Sequence, residues 1–328
     1  ALDGFDTRYM PAYYEDNDLA FRLRELGYRT LYQPLAWARH FEGVSHGQDE
    51  TTGIKAYQTI NREKFLARWN AVLNDHEDNG IAPEIACDRK IVGHVLIVDA
   101  VTPTPDRDSG SIDMYNYMRI LLDAGYRVTF IPDDNLAYFG DYTDDLRRMG
   151  VNCLHHPYIT DTRTYIHEHG HTFACTILAR AEQADRYAPV FRAHCPAVPL
   201  VFLTVDLHYL RLERQAEIEE SPSVARRACD MKRVEHAAMA TCDATIVLSE
   251  TERQLLRCEG VTARLAAIPL VREPAGRDAP FTERRDLLFV GGFDHHPNVD
   301  AVMWFLDAIW PRIAAALPGA RFHVVGSG

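Results

Sequence analysis

Three clusters of polar residues in this 328-residue chain are spaced to do chemistry. Near the start, Glu15, Asp16 and Asp18 crowd three carboxylates around the beginning of a helix. One of them could serve as a general base, taking a proton from an attacking hydroxyl. Equally, all three could simply complement the positive end of the helix dipole, worth roughly 0.3 to 1 kcal/mol each. Further on, Asp106-Arg107-Asp108-Ser109-Gly110-Ser111 lies between an apolar run and an amphipathic stretch, which offers backbone N–H groups and a helix N-terminus to a phosphate. Finally, Thr204-Val205-Asp206-Leu207-His208, followed by Arg211 and Arg214, falls at the C-terminal end of an expected strand, the edge at which open α/β sheets hold their ligands. His208 suits a buried, hydrogen-bonded role as well as a reactive one. The two arginines could grip a phosphate bidentately or lie on an exposed helix face.

The elements that position these residues follow from periodicity. Leu19, Leu23 and Leu26 recur at helical spacing with Gly27 as a stop, Thr30 to Tyr32 reads as a strand, and Ile54 through Leu73 returns to a helical pattern. Asp75 to Cys87 has the composition of a linker. At His94 the pattern changes. Val95 to Val98 is a short β-branched run suited to a strand buried on both faces, Ile112 to Leu122 is an amphipathic helix closed by Gly125, and Val128 to Ile131 is the next strand. Further strands are expected at Cys175 to Leu178, Leu200 to Val205, Thr245 to Leu248 and Ala266 to Pro269, alternating with helices. After a proline-containing, charged hinge, Leu287 to Val290 opens a new βα unit with Gly291 and Gly292 in its turn, and Phe322 to Val325 is its next strand. The fold class is therefore α/β, with a doubly wound Rossmann-like parallel sheet.

Composition narrows the functional classes. A net charge of -12 argues against the broad cationic surface that nonspecific nucleic-acid binding needs. The seven cysteines are scattered singly, without the paired spacings of a zinc site or a disulfide framework, so reduced thiols in a cytoplasm are expected. No run approaches the roughly 18 apolar residues of a membrane span, which leaves only peripheral contact with the inner face of a membrane open. His167, His169 and His171 alternate as they would on one strand face, but no cysteine or carboxylate arrangement completes a metal set and Gly170 marks a helix end or turn. Asp133 and Asp134 end the second strand without the glycine fingerprint that an NAD site needs.

Two resemblances sharpen this reading. Gly4-Phe5-Asp6, Tyr14-Glu15-Asp16-Asn17-Asp18-Leu19, Arg22, Gly27-Tyr28-Arg29, Pro34, Ala36, His40, Gly43 and Ser45 closely resemble the C-terminal portion of family 2, GT-A fold glycosyltransferases. That resemblance implies Asp16 as the catalytic base of an inverting displacement, and His40 as a ligand of the divalent metal (Mn or Mg) that neutralises the leaving diphosphate. The family's Asp-x-Asp metal pair is expected upstream of Ala1. The string from Ile97 through Pro103, Asp106 to Ser111, Leu121 and Gly125-Tyr126-Arg127-Val128-Thr129, then Thr204 to His208, Ser249 to Glu252, Phe289 to Phe293, Pro297 to Ala301 and Trp304 resembles family 4, GT-B fold glycosyltransferases over about residues 93–328. It implies that Ser109, Gly110 and Ser111 face a donor diphosphate across a cleft, with Gly291, Gly292 and Arg211 in the same nucleotide-sugar site, and that His208 or Asp206 lines the acceptor side. This part would need no metal of its own.

The expected organisation is a GT-A tail over 1–46, a helical segment and linker over 47–92, a GT-B N-terminal Rossmann-like domain over 93–272, a hinge over 273–285 and the start of a donor-binding domain over 286–328, with both ends cut and the chain incomplete for catalysis. The resemblances imply a bifunctional transferase acting on a glycan or lipid-linked acceptor in surface polysaccharide synthesis. The alternatives are an NAD-dependent nucleotide-sugar oxidoreductase or epimerase, and a noncatalytic GT-B-like binding module.

Overall fold

A computed structural model describes residues 2–28, 30, 36–39, 51–76, 91–274, 276–277 and 280–327. Backbone contacts divide the chain into two units, Ala1–Arg89 and Lys90–Gly328.

In the first unit, helix α1 (Glu15–Glu25) and helix α2 (Ala56–Leu73) share a small core of Tyr9, Phe65 and Trp69, with Tyr14 and Phe21 packed against it. The helix expected over Ile54 to Leu73 thus carries two of that core's three buried residues, Phe65 and Trp69. The three carboxylates of the opening helix have separate fates. Asp18 is fully buried, accepting from the Tyr9 hydroxyl at 3.2 Å, Trp69 Nε1 at 2.9 Å and Arg22 Nε at 2.7 Å, with an Arg68 guanidinium nitrogen at 3.0 Å. Its charge is compensated on every side, as a buried carboxylate requires. The Asn61 side-chain amide donates to the carbonyls of Tyr9, Ala12 and Tyr13. It thereby braces Tyr13 and Tyr14, whose φ of 75° and 71° lies in the left-handed region. The strand expected at Thr30 to Tyr32 falls largely outside the described residues.

The second unit opens with β1 (His94–Asp99), α3 (Ser109–Asp123), β2 (Arg127–Pro132), α4 (Gly140–Met149), β3 (Asn152–Cys153) and α5 (Thr162–His169). It continues through β4 (Cys175–Ala179), α6 (Ala181–His194), β5 (Leu200–Leu203), α7 (His208–Glu219), α8 (Pro222–Thr241), β6 (Ala244–Val247), α9 (Glu250–Cys258) and β7 (Leu265–Ala267). The seven strands form one fully parallel sheet in the order β3-β2-β1-β4-β5-β6-β7, the doubly wound α/β architecture expected from the alternation of elements. The period of two splits each strand between two buried faces. Leu96, Val98, Leu178 and Phe202 join one helix-covered core, whereas Val95, Ile97, Val128 and Phe130 join the core under α3 and α4. That is why the apolar runs are continuous rather than alternating.

His167 and His169 end helix α5 and His171 sits in the single 3-10 turn that follows, the helix end expected at Gly170, so the three histidines do not line one strand face. Asp161 caps that helix through the Thr164 N–H at 2.7 Å, and this capping signal outweighs the alternation. The strand expected to reach Val205 stops at Leu203, because Val205 turns the chain with a φ of 65°. The short edge strand β3 is an addition.

Beyond β7, Val271 to Glu273 are tied to α3. The Val271 N–H donates to Asp113 at 2.8 Å, Asn116 donates to the Val271 carbonyl at 2.8 Å, and Arg272 and Glu273 pair with Asp113 and Arg119. β8 (Leu287–Val290) and β9 (Phe322–Val325) then pair in parallel around helix α10 (His296–Trp304), a five-residue π turn and α11 (Trp310–Ala316). Phe305 and Trp310 pack on Phe322 of this pair, with ring centroids 4.5 and 6.0 Å away.

Phe202 sits in the middle of the sheet with no exposed surface. Its replacement in Phe202→Ala is expected to lower unfolding free energy by about 3 to 5 kcal/mol, the range for deleting a buried aromatic ring, read as a lower urea midpoint at unchanged slope.

Candidate functional site

The strand order reverses direction from β1 to β4, so the loops following these two strands diverge and leave a crevice at the C-terminal edge. Asp99, at the end of β1, is buried and accepts from Arg180 Nε at 2.8 Å. Burial pushes its carboxyl up, against the pull of the Arg180 guanidinium. Arg180 itself takes a φ of 73° at the end of β4 and feels the charges of Asp206 and Asp108 as well as Asp99. It is the cation around which this edge is organised.

The loop after β1 delivers Ser109, Gly110 and Ser111 to the first turn of α3. Here Asp108 is the N-cap, accepting from the Ser111 N–H at 2.8 Å and from the Ser111 hydroxyl at 2.6 Å. Ser109 is engaged by the Arg272 guanidinium. Protein groups therefore already use two of the donors that sequence reasoning offered to a phosphate. Gly110 is a close-approach position: a Cβ there would lie 3.4 Å from Val205 Cγ1 and from Asp108 Oδ1. The β1 loop and the β5 loop thus touch.

The β5–α7 turn holds the most concentrated chemistry. Val205, a β-branched residue, is forced into the left-handed region, a strain of order 1 to 3 kcal/mol that persists only where the surroundings impose it. Immediately after it, Asp206 Oδ1 lies 2.8 Å from His208 Nε2 and Asp206 Oδ2 accepts from Arg211 Nε at 3.1 Å. Burial raises the Asp206 carboxyl, but the hydrogen bond from His208 and the charges of His208, Arg211 and Arg180 outweigh it and hold it below the usual range. The hydrogen bond to Asp206 raises His208, against the opposing effect of burial. Glu235, on α8, stands behind the turn with no exposed surface and accepts from the His208 and Tyr209 N–H groups, both at 3.0 Å.

A cavity of about 850 Å³ opens in front of this turn. Asp206, Leu207, Leu210, Arg211 and Arg214 line one side, with Gln215, Ile218 and Glu219 further along α7 and Glu252 beside them. Asp294, His295, His296, Pro297 and Asp300 from the β8–α10 turn line the other side. Gly291 and Gly292 shape that turn without lining the cavity: Asn298 donates to the Gly292 carbonyl at 2.8 Å, and a Cβ on Gly291 would lie 2.8 Å from the Asn298 amide nitrogen. Arg211, Arg214 and the helix start at His296 are suited to an anion. The carboxylates of Asp206, Glu219, Asp294 and Asp300 are suited to hydroxyl donors, and Leu207, Leu210, Ile218 and Pro297 to an apolar ring face.

The structure thus brings together Asp206, His208 and Arg211, of which Asp206 and Arg211 line the cavity, with Gly110, between Ser109 and Ser111, approaching Val205. Asp16 belongs to the first unit, where it is exposed and accepts from the Asn17 N–H at 2.7 Å. His40 lies outside the described residues, and among those described no group of three or more His, Cys, Asp or Glu is arranged to hold a metal. No described helix is long and apolar enough to cross a membrane. Sequence reasoning missed Glu235 and Arg180, which lie in the chain 26 residues from the nearer of the amides and 81 residues from the carboxylate that they serve. It also missed His295 and His296, whose proximity to proline and glycine was their only signal.

No family description and no curated protein matches the chain. Among solved structures it is similar to a UDP-glucosyltransferase from Polygonum tinctorium (14% identity, TM-score 0.40, 61% of this chain and 59% of that one). It is also similar to a sucrose-phosphate synthase from Thermosynechococcus elongatus (15%, 0.42, 71% and 62%) and to a Medicago truncatula protein complexed with UDP-glucose (8%, 0.41, 72% and 66%). The chain therefore spans 59% and 62% of the length of the first two. These likenesses concern the course of the backbone, and the seven-stranded parallel sheet stands independently of them.

Because His208 is raised in the folded state, its pairing stabilises fully below the unfolded histidine value of about 6.5 and is lost as pH rises through the folded pKa. Asp206 is lowered, so its contribution is present above about 3.9 and is lost as pH falls through its own folded pKa. In an Asp206→Asn variant, the imidazole NMR titration of His208 is expected to move to lower pH, and stability should lose its decline on the alkaline side of that titration.

Proposed function

We propose that the second unit is the acceptor half, with the opening of the donor half, of a GT-B-type glycosyltransferase, moving a sugar from a nucleotide-sugar donor to a hydroxyl acceptor. The observation that carries this reading is the cavity lined by Asp206 and Arg211, whose far wall is the β8–α10 turn with His295 and His296, with His208 hydrogen-bonded to Asp206. Arg211 and Arg214 supply charge for a diphosphate, and a bidentate guanidinium is the side chain best matched to phosphate oxygens. In this reading the imidazole of His208, held by Asp206, exchanges a proton with an acceptor hydroxyl or steadies charge at the reacting sugar. Family 4 resemblance favours retention of anomeric configuration. The oxidoreductase alternative is disfavoured by the loop after β2, where Arg186 and Tyr187 occupy Asp133 and Gln183 donates to Asp134. The acids that would hold a dinucleotide ribose are already engaged.

The first unit fits the tail of a GT-A-type transferase in which Asp16 is the base. Asp18 is consumed by its buried partners, so Asp16 is the exposed carboxylate of the pair and the one available to an acceptor. Two transfers on one polypeptide, extending a surface glycan or a lipid-linked acceptor, is the fuller form of this proposal. The cytoplasmic face of a membrane is its natural setting.

Isothermal titration of the chain with nucleoside diphosphates and a panel of nucleotide sugars tests the second site. Arg211→Ala is expected to weaken diphosphate binding by about tenfold or more, since hydrogen bonds to charged groups contribute about 1.5 to 3 kcal/mol. Absence of any nucleotide-sugar binding would sink the reading and favour a noncatalytic module. For the first unit, Asp16→Asn in the full-length protein should abolish one sugar transfer while leaving the other intact, measured by product analysis.

A further inference from the structure

Helix α7 begins without a cap of its own. Its N-cap residue is Leu207, which has no side-chain acceptor, and the first four N–H groups of a helix have no partner within it. The acceptor comes instead from α8. Glu235 has no exposed surface, and its two carboxylate oxygens each take one of these groups, Oε1 from His208 and Oε2 from Tyr209, both at 3.0 Å. The cations nearest in sequence are committed elsewhere: Lys232 pairs with Glu259 and Glu213, and Arg233 with Asp230. A buried carboxylate is a costly way to close a helix, and a serine or aspartate at the cap position would serve for stability alone. What a residue at 207 cannot do is brace the turn from behind. That turn carries strained Val205 and, on either side of Leu207, the two side chains that meet at 2.8 Å.

We propose that Glu235 is the positioning residue of the Asp206–His208 pair: by holding the first two amides of α7, it sets where the imidazole stands against the carboxylate at the cavity edge. It also puts a second negative charge behind the imidazole. The charged groups facing His208 are Asp206 on its own turn, Glu235 on α8 and Glu182 on α6, while Arg180 and Arg211 face Asp206. Glu235 itself is raised by burial, against the two amide hydrogen bonds and the His208 charge. The consequence for turnover rests on the sugar-transfer reading above; the positioning itself does not.

The test is the NMR titration of the His208 imidazole in the whole chain, with nucleotide-sugar binding by calorimetry and, in full-length protein, KM and kcat measured alongside. In Glu235→Gln one amide keeps an acceptor, while the other meets an NH₂ group and the charge is gone. The expected result is a native melting transition, a His208 titration moved to lower pH, and kcat down by about tenfold with KM changed less than about threefold, the pattern of a lost transition-state interaction. In Glu235→Asp, which keeps the charge one methylene short, the titration should fall between wild type and Glu235→Gln. A folded Glu235→Gln with an unmoved titration overturns the proposal. If Glu235→Gln does not fold, Glu235→Asp decides by the same measurement, and failure of both to fold assigns Glu235 to overall stability and overturns it too. A moved titration in a chain that binds no nucleotide sugar leaves the positioning role standing and removes the sugar-transfer reading.

Discussion

Because all seven strands of the main sheet run parallel, every strand of that sheet ends at one edge, and this constraint decides where chemistry can accumulate. Buried polar groups that would be intolerable inside the sheet become affordable where the strands stop and helix N-termini begin. Asp99, Arg180, Asp108 and the Asp206–His208 pair all lie there, contributed by the ends of β1, β4 and β5 and by the start of α3. The outward winding from β1 and β4 opens the space between them, and at Gly110 the β1 loop comes close enough to the β5 loop that a Cβ there would lie 3.4 Å from Val205 Cγ1.

Charge is distributed unevenly along that edge. Arg180 is hydrogen-bonded to Asp99 and feels the charges of Asp206 and Asp108 as well. Toward α7 the balance changes: Arg211 and Arg214 face Asp294, Asp300 and the two histidines of the β8–α10 turn. A cavity with both signs and apolar surface between them is matched to a ligand carrying phosphate at one end and hydroxyls at the other. The tie of Val271 to Glu273 on α3 through Asp113, Asn116 and Arg119 anchors the segment that leads from one sheet to the next. It also brings Arg272 onto Ser109, so the hinge and the first turn of α3 share a hydrogen-bond network.

The first unit shows the same economy at smaller scale. Its three closely spaced carboxylates look interchangeable along the chain, yet Asp18 is wholly buried against Tyr9, Trp69, Arg22 and Arg68 while Asp16 is exposed. What separates them is helical geometry: two residues along an α-helix is a rotation of about 200°, which turns one side chain to the core and the other to solvent.

The strands around Val95, Val128, Cys175, Leu200, Thr245, Leu265, Leu287 and Phe322 were legible in the sequence because β-branched apolar runs between turn residues have few other stable homes, and Gly125 was legible as a helix stop because the left-handed turn at its φ of 86° favours glycine. The parallel, doubly wound architecture followed from alternation alone. The Asp206–His208–Arg211 constellation was legible too, since its members are sequence neighbours on a strand end and the first turn of a helix. Tertiary structure alone decided which distant residues complete it. Arg180, Glu235, His295 and His296 reach the site from other elements, and no local pattern marks a buried glutamate as the cap of someone else's helix. Local order is written in nearest-neighbour propensity and period, whereas a charge's partner is chosen by the packing of whole elements, which is where the sequence by itself falls silent.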